Sequence, residues 1–269
     1  HETINNWYPD KPLLNDPRYT EVRSVALLSA RGRQAFLEYN PIARHPQDHE
    51  RIYRKIAYGP DLDVFLIDLR SYRSSNTTDH QETLTPESRI FGAEQLQWLH
   101  DGLTSSQATW KVVASDMPIG LVISDQGRIE GIANGDGPPR GREHEMAQLL
   151  SALKAASVNN VIWLTADVHY AAAHFYDPSE AVYQDFDPFW EFVSGPLNAG
   201  NFGPGKTDNT FGPQVKFASA GPGIASNQPP SAGYQFFGHV TFDPKTRGLT
   251  VQQFNRAGDE VYSVDLANQ

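Results

Sequence analysis

An aspartate and a histidine two residues apart follow a short apolar run in the middle of the chain. Asp167 and His169 come at the end of Val161–Ala166 (VIWLTA), which predicts a buried strand. Because side chains at i and i+2 of an extended chain point the same way, we expect the carboxylate and the imidazole to converge at the strand's end. Oxygen and nitrogen donors suit a hard or borderline metal such as Ca, Mn, Fe or Zn. The spacing predicts a metal site, and the alternative is that Asp167 only caps a turn.

Two arginines follow another predicted buried strand, Asp63–Asp68 (DVFLID). A guanidinium group binds phosphate oxygens bidentately, so Arg70 or Arg73 could contact a phosphate group. The alternative is a buried arginine that pairs with Asp63 or Asp68 and holds the loop in place. Both hypotheses are consistent with the sequence.

Three further segments carry weaker signals. The first residue, His1, opens the stretch HETINNW, and a terminal histidine is most often part of a frayed end. Ser194–Gly200 (SGPLNAG) contains glycines that allow a ligand to approach the backbone, or that only shape a turn. His174 lies five residues after His169, so in a continuous strand it faces the other way, and we expect it to be structural.

The predicted elements alternate between strand and helix up to Asp177, and then become strands only. Alternating strands and helices predict a mostly parallel sheet covered by helices. The last three strands lie close together and predict an antiparallel meander, so a mixed sheet packed against a second sheet fits the order. The predicted helices are Ser24–Tyr39, Gly92–Leu103 and Arg142–Ala156. The predicted strands are Asp63–Asp68, Trp110–Ser115, Val161–Ala166, Glu191–Ser194, Val215–Ser219, Phe236–Phe242, Leu249–Phe254 and Val261–Leu266, and Ser124–Gly141 and Pro196–Pro213 are predicted long loops.

Composition excludes several classes of protein. The net charge is −10, whereas a protein that binds the nucleic-acid backbone is expected to be basic. No apolar run approaches the roughly 18 residues that a membrane-spanning helix needs. The sequence has no cysteine, which excludes disulfides, thiolate metal sites and a cysteine nucleophile. It also lacks a G-x-S-x-G nucleophile elbow, a P-loop, a G-x-G-x-x-G motif and an H-E-x-x-H motif.

Taken together, six segments resemble the alkaline phosphatase D (PhoD-like) family of metallophosphoesterases. The opening segment resembles the part of that family's W-D-D-H-E-x-x-N-N-W motif that follows two acidic residues, and the second resembles its D-x-R-x-Y-R segment. The resemblance spans essentially the whole chain, and the blocks come in the family's order. They are HETINNWYPD, DVFLIDLRSYR, VVASDMPIGL, GPPRGREHEMAQLL, WLTADVHYAAAHFYDP and FWEFVSGPLNAGNFGP.

This resemblance implies a fold, a chemistry and a set of residues. The family's fold is an α/β four-layer α-β-β-α sandwich, and its members hydrolyse phosphomonoesters and phosphodiesters with iron and calcium. Asp167 and His169 match the family's late metal-binding D-x-H, and His1 matches the histidine expected to protonate the leaving group. A periplasmic or secreted location follows by analogy. We expect a small-molecule phosphoester substrate, no nucleic-acid or membrane binding, and a monomer.

One departure from the family is large. The family's early metal ligands are a cysteine, an Asp-x-x-Tyr pair and the acidic residue before the D-D-H-E histidine, and all would lie upstream of His1. We therefore expect residues 1–269 to be the C-terminal portion of a single metallophosphatase domain, starting inside a longer chain and truncating the sandwich at its N-terminus. Two alternatives are a phosphodiesterase or phospholipase with the same site, and an inert, calcium-stabilised structural or binding domain.

Overall fold

Apolar segments of strand length form a central sheet, which the helices and a second sheet cover. The computed structural model describes residues 3–13 and 16–269. Within them the helices are α1 (Val25–Tyr39), α2 (Ala93–Ser105) and α3 (Glu143–Ala155). The strands are β1 (Arg54–Tyr58), β2 (Leu62–Leu66), β3 (Trp110–Ala114), β4 (Leu121–Val122), β5 (Ser124–Asp125), β6 (Arg128–Ile129), β7 (Val161–Thr165), β8 (Ala172–Tyr176), β9 (Phe189–Val193), β10 (Lys206–Thr207), β11 (Pro213–Ala218), β12 (Phe236–Phe242), β13 (Leu249–Asn255) and β14 (Glu260–Leu266).

The main sheet of the described chain has seven strands in the order β1-β2-β3-β7-β9-β8-β11. The pairs β2–β3, β3–β7 and β7–β9 are parallel. The outer pairs β1–β2, β9–β8 and β8–β11 are antiparallel. Because parallel strands end on the same side of a sheet, the loops that follow β2, β3, β7 and β9 leave from one edge, which we call the carboxyl edge.

Helices α2 and α3 cover one face of this sheet. Their buried residues include Leu99 and Leu103 of α2 and Leu150 of α3, and they pack with Phe65 of β2 and Trp163 of β7. Helix α2 comes so close to the sheet that a Cβ on its Gly102 would lie 2.5 Å from Phe65 Cε1. In the described residues no helix is both long and apolar enough to span a bilayer.

The opposite face packs against a second, antiparallel sheet of β12, β13 and β14. The interface between the two sheets is apolar. It includes Trp110, Val112, Ile162 and Phe192 of the main sheet and Leu249, Val251 and Leu266 of the second sheet. The described residues therefore form helix, sheet and sheet layers, and the predicted mixed α/β fold is confirmed.

The predicted elements all occur, with ends shifted by a few residues. Ser24 caps α1 as predicted, because its Oγ accepts a hydrogen bond from the Leu27 amide at 3.3 Å. Strands β1 and β8 were not predicted, and the short β5–β6 hairpin lies inside a predicted loop. Strand β1 is mostly exposed at the sheet edge and so shows no buried apolar run, while β8 contains alanines and a histidine.

Two buried carboxyl groups anchor the loop before α3. Asp208 Oδ2 accepts hydrogen bonds from the amides of Asn134 (3.1 Å) and Gly135 (2.7 Å), and Glu143 Oε2 accepts one from the Arg140 amide (3.1 Å). Glu143 is 0% exposed and Asp208 1%. Burial, followed by the charge of Asp208, raises the pKa of Glu143 to about 9. Glu143 is therefore protonated at neutral pH and donates a hydrogen bond to Asp208.

This pair makes stability depend on pH in the alkaline range. The folded chain holds a proton on Glu143 between its ordinary pKa of 4.5 and about 9, whereas the unfolded chain releases it. The free energy of unfolding should therefore fall as pH rises through this window, by at most about 1.4 kcal/mol per pH unit. Urea denaturation at pH 7.5 and 9 measures the loss, since burial raises the pKa of Asp79 and of Asp116 only to about 6.

Glu143→Gln tests the origin of that loss. The amide has the size of the carboxyl group and can still donate to Asp208, but it does not titrate, so the decrease between pH 7.5 and 9 should shrink. The matched control is Glu82→Gln, since Glu82 is exposed and pairs with Arg140 on the surface. A Glu143→Gln chain that loses as much stability as the wild type would show that another group titrates.

Candidate functional site

Three aspartates lie at the carboxyl edge, each two residues beyond the end of a parallel strand. Asp68 follows β2, Asp116 follows β3 and Asp167 follows β7, and these three strands are neighbours in the sheet. Asp116 was not singled out from the sequence. Its signal was available, because it stands in the same position after its strand as Asp167 does after β7.

Asp167 lies in a tight turn rather than in an extension of β7. Strand β7 ends at Thr165, and Asp167 has φ 71° at the centre of a turn that the Val168 amide closes by donating to Ala166 O at 2.9 Å. The expectation that Asp167 and His169 share one face of a continuous strand is therefore wrong. A three-residue turn with positive φ is rare, and such strained residues cluster at functional sites.

Arg70 contacts Asp167, although the sequence predicts them as candidate site residues after two different strands. Arg70 Nη2 donates to Asp167 Oδ1 at 3.1 Å, and Arg70 Nη1 donates to Glu130 Oε1 at 2.5 Å. Nη1 also lies 3.4 Å from the backbone oxygen of Trp7, which brings the N-terminal segment to the carboxyl edge. The Arg70 side chain is 20% exposed and that of Asp167 is 24% exposed, so solvent reaches both groups.

The His169 ring is oriented by the loop after β9. Its Nδ1 lies 2.7 Å from the Gly200 carbonyl oxygen, and because a carbonyl only accepts, Nδ1 carries the proton. In the neutral ring Nε2 then holds the lone pair. Phe202 supports the ring edge-to-face at 5.2 Å between centroids, and its amide donates to His169 O. Metal-binding histidines characteristically donate their second ring N–H to a carbonyl or carboxylate.

Arg73 lies inside the protein, away from the solvent-exposed edge. The residue is 4% exposed, and its Nη2 donates to Asn76 Oδ1 at 2.6 Å and to the backbone oxygen of Glu130. Burial, followed by the charges of Arg142 and Arg70, places the pKa of Arg73 well below its usual value. The structure therefore brings Arg70, but not Arg73, to Asp167.

Asp68 fixes the Arg70 loop through the backbone and not through an arginine side chain. Its Oδ1 accepts hydrogen bonds from the amides of Arg70 (2.9 Å) and Ser71 (2.8 Å). Asp63, the other partner considered, pairs with Lys55 at 2.6 Å. In the described residues neither Arg70 nor Arg73 pairs with Asp63 or Asp68 through its side chain, so the expected arginine–aspartate pair is absent and Asp68 holds the loop through backbone amides instead.

Asp116 holds the same loop at Leu69, the residue before Arg70. Its Oδ1 accepts a hydrogen bond from the Leu69 amide at 3.0 Å, which links the loops after β2 and β3. Desolvation, followed by the negative charge of Asp68, raises the pKa of Asp116 to about 6. This carboxyl group therefore changes charge in mildly acidic solution, at the edge where Arg70 and Asp167 meet.

A buried polar network supports the loop that carries Asp116. Glu191 of β9 accepts hydrogen bonds from the Ile119 amide (2.8 Å) and the Tyr176 hydroxyl (2.6 Å). His174 lies 3.1 Å from Glu191 through Nδ1, and it is 1% exposed. The burial of His174 in this network is consistent with the expected structural role, although no continuous strand joins it to His169, since β7 ends at Thr165 and β8 begins at Ala172.

Arg142 ties two further loops together behind the edge. Its buried guanidinium donates to the backbone oxygens of Ser74 and Ser75 in one loop and of Ile129, Glu130 and Gly131 in the other, at 2.9–3.3 Å. The residue is 1% exposed. One side chain thus holds the segment after Arg73 against the segment that contains Glu130.

The predicted metal ligands fit part of a metal site. Asp167 offers carboxylate oxygens and His169 an imidazole nitrogen, which suit borderline metals such as iron. In residues 3–13 and 16–269, no three side chains of histidine, cysteine, aspartate or glutamate form a group that could hold a metal. His1, the predicted acid, lies outside the described residues.

A match over almost the whole chain decides the family. The family model of the PhoD-like phosphatases matches residues 1–253. This chain belongs to the PhoD-like phosphatase family. Its relatives include alkaline phosphatase D of Bacillus subtilis (strain 168), which is 29% identical over 226 residues, or 78% of this chain and 36% of that protein.

Solved structures related to the PhoD-like chain share its fold. A structure of PhoD superposes with a TM-score of 0.57 at 21% identity, over 98% of this chain and 54% of that one. The purple acid phosphatase PPD1 from yellow lupin (Lupinus luteus) seeds superposes with a TM-score of 0.50 at 14% identity, over 98% and 39%. The chain spans about a third of the curated relative and about half of the PhoD structure.

The Arg142 clamp predicts a large loss of stability on a conservative change. Arg142→Lys keeps the charge but offers three donors from one point, so several buried carbonyl oxygens lose their partners at about 1–3 kcal/mol each. We expect the free energy of unfolding, measured by urea denaturation, to fall by at least about 3 kcal/mol.

The matched control is Arg140→Lys, which should change the free energy of unfolding by no more than about 0.5 kcal/mol. Arg140 is partly exposed, and its side chain pairs with Glu82 on the surface. If Arg142→Lys were as stable as Arg140→Lys, Arg142 would not hold the two loops together.

Proposed function

We propose that this chain is the C-terminal portion, residues 1–269, of the catalytic domain of a metal-dependent phosphoester hydrolase. Membership of the PhoD-like phosphatase family supports the reaction class. Two observations carry the proposal: Arg70 contacts Asp167 at the carboxyl edge, and the Gly200 carbonyl orients the ring of His169, two residues after Asp167 in the same loop. Open α/β sheets bind their ligands at this edge.

Asp167 and His169 are the residues proposed to hold metal. The Gly200 carbonyl orients the His169 ring with Nε2 as the donor nitrogen, and the turn at Asp167 precedes this histidine by two residues. Iron together with calcium are the proposed metals, on the resemblance to the family. When bound, such ions supply a hydroxide near neutral pH and neutralise negative charge on the phosphoryl oxygens.

Arg70 is the proposed phosphate contact among this chain's own residues. It lies beside Asp167 at the solvent-exposed edge, and a guanidinium matches the geometry of phosphoryl oxygens. Arg73 was an equal candidate by sequence, but its contacts with Asn76 and Glu130 favour a supporting role. His1 remains the proposed acid that protonates the leaving oxygen.

The remaining proposals concern substrate, assembly and location. The substrate is a small-molecule phosphoester, the protein is a monomer, and it acts in the periplasm or after secretion. Turnover of a phosphate monoester and a phosphate diester, compared on one preparation, separates a phosphatase from a phosphodiesterase. Calcium-dependent thermal stabilisation without turnover of either substrate would instead indicate an inert, calcium-stabilised domain.

Removing either proposed metal ligand tests the function. We expect Asp167→Asn and His169→Ala, in the full-length protein loaded with iron and calcium, to lower kcat/KM at least about 100-fold because the metals lose a ligand. Elemental analysis of the same samples should show less bound metal than in the wild type. Asparagine also tolerates positive φ, so the first variant should fold.

His100→Ala is the matched control for the histidine. His100 lies on α2, in the helical layer, where it contacts Asp101, so its loss should leave turnover and metal content unchanged. Near-normal turnover by Asp167→Asn with full metal content would rule out Asp167 as a ligand.

A further inference from the structure

Glu130 is a buried acidic residue that no sequence motif singled out. It is 2% exposed and directly follows β6. Its amide donates to Ile123 O at 2.8 Å, and its carbonyl oxygen accepts hydrogen bonds from Arg142 Nη1 (2.9 Å) and from Arg73 Nη2. Two buried guanidinium groups therefore hold the backbone of this residue in place.

The Glu130 carboxylate contacts the third arginine, Arg70. Glu130 Oε1 accepts a hydrogen bond from Arg70 Nη1 at 2.5 Å, while Arg70 Nη2 reaches Asp167 Oδ1 at 3.1 Å. The side chains are 3%, 20% and 24% exposed in the order Glu130, Arg70 and Asp167. One guanidinium thus lies between a buried carboxylate and a solvent-accessible one.

We propose that Glu130 is the positioning residue for Arg70. It holds Nη1 from the interior, so that Nη2 stays at the carboxyl edge, where it contacts Asp167 and is available to an anionic phosphoryl oxygen. The guanidinium is a rigid planar fork, so fixing one nitrogen also fixes the direction of the other. This inference rests on the proposed function, in which Arg70 contacts the substrate phosphate.

The charges at this edge give Glu130→Gln a specific effect. In the wild type the carboxylates of Glu130 and Asp167 each accept a hydrogen bond from Arg70. With a neutral amide in place of the Glu130 carboxylate, Nη1 is held less firmly, and the guanidinium can turn toward Asp167, which still accepts a hydrogen bond from it, and away from a phosphate ion. The glutamine side chain has the same size, so the fold should persist, but its neutral amide oxygen binds Nη1 more weakly than the carboxylate does.

Calorimetric titration of the metal-loaded, full-length protein with inorganic phosphate tests this role. We expect Glu130→Gln and Arg70→Gln each to weaken phosphate binding about 10-fold. This is the effect of losing one well-placed charged hydrogen bond, the one between Arg70 and phosphate. The double variant should bind no more weakly than Arg70→Gln, because Glu130 acts only through Arg70. Purely structural damage would instead weaken binding further in the double variant.

The control is Glu82→Gln, which removes an exposed carboxylate paired with Arg140 and should bind phosphate as the wild type does. Glu130→Asp keeps the charge but shortens the side chain by one methylene, so it should also weaken phosphate binding. This variant replaces Glu130→Gln in the test if the glutamine variant does not fold. Two outcomes would overturn the positioning role alone. One is wild-type phosphate affinity in a folded Glu130→Gln protein, and the other is a loss of affinity from Glu130→Gln that is as large in the Arg70→Gln protein as in the wild type. A wild-type protein that binds no phosphate overturns this proposal and also the proposed phosphate contact.

Discussion

The parallel register of β2, β3, β7 and β9 is the constraint on which the site depends. Parallel pairing sends four loops out at one edge of the sheet, and neighbouring strands bring the loops within side-chain reach of one another. The apolar layers on both faces hold that register, since a strand buried on both sides cannot slip without exposing its side chains. As a consequence of this order Asp167 contacts Arg70, and Asp116 contacts the amide of the preceding residue, Leu69.

Charged groups buried behind the edge hold the loops in place. Arg142 and Arg73 bind backbone oxygens, Asp68 and Asp208 bind amides, and Glu191 joins β9 to the loop after β3. Burying such groups is costly unless each one is paired, so each constrains its partner's position. The loops can therefore be long and irregular while the groups they carry remain in place.

The described residues of the proposed site include Asp167 and His169, the two proposed metal ligands. His169 is already oriented by Gly200, and Asp167 is already placed by its turn and by Arg70. The fixed positions of these two side chains are consistent with the family assignment. The chain spans 36% of the curated relative and 54% of the PhoD structure.

The sequence by itself determined the mixed α/β class, nearly all long elements, the structural role of His174 and the family, because apolar periodicity and ordered motifs are local properties of the chain. It also pointed to Asp167, His169 and Arg70, the residues that the proposed function uses. It did not reveal β1 or β8, the turn at Asp167, or the separation of Arg70 from Arg73. Only the tertiary structure decided these, since they depend on contacts between residues far apart in sequence: Arg70 lies 60 residues from Glu130 and 97 from Asp167. Whether an arginine faces solvent or carbonyl oxygens is set by the packing of several loops and leaves no pattern in the sequence around it.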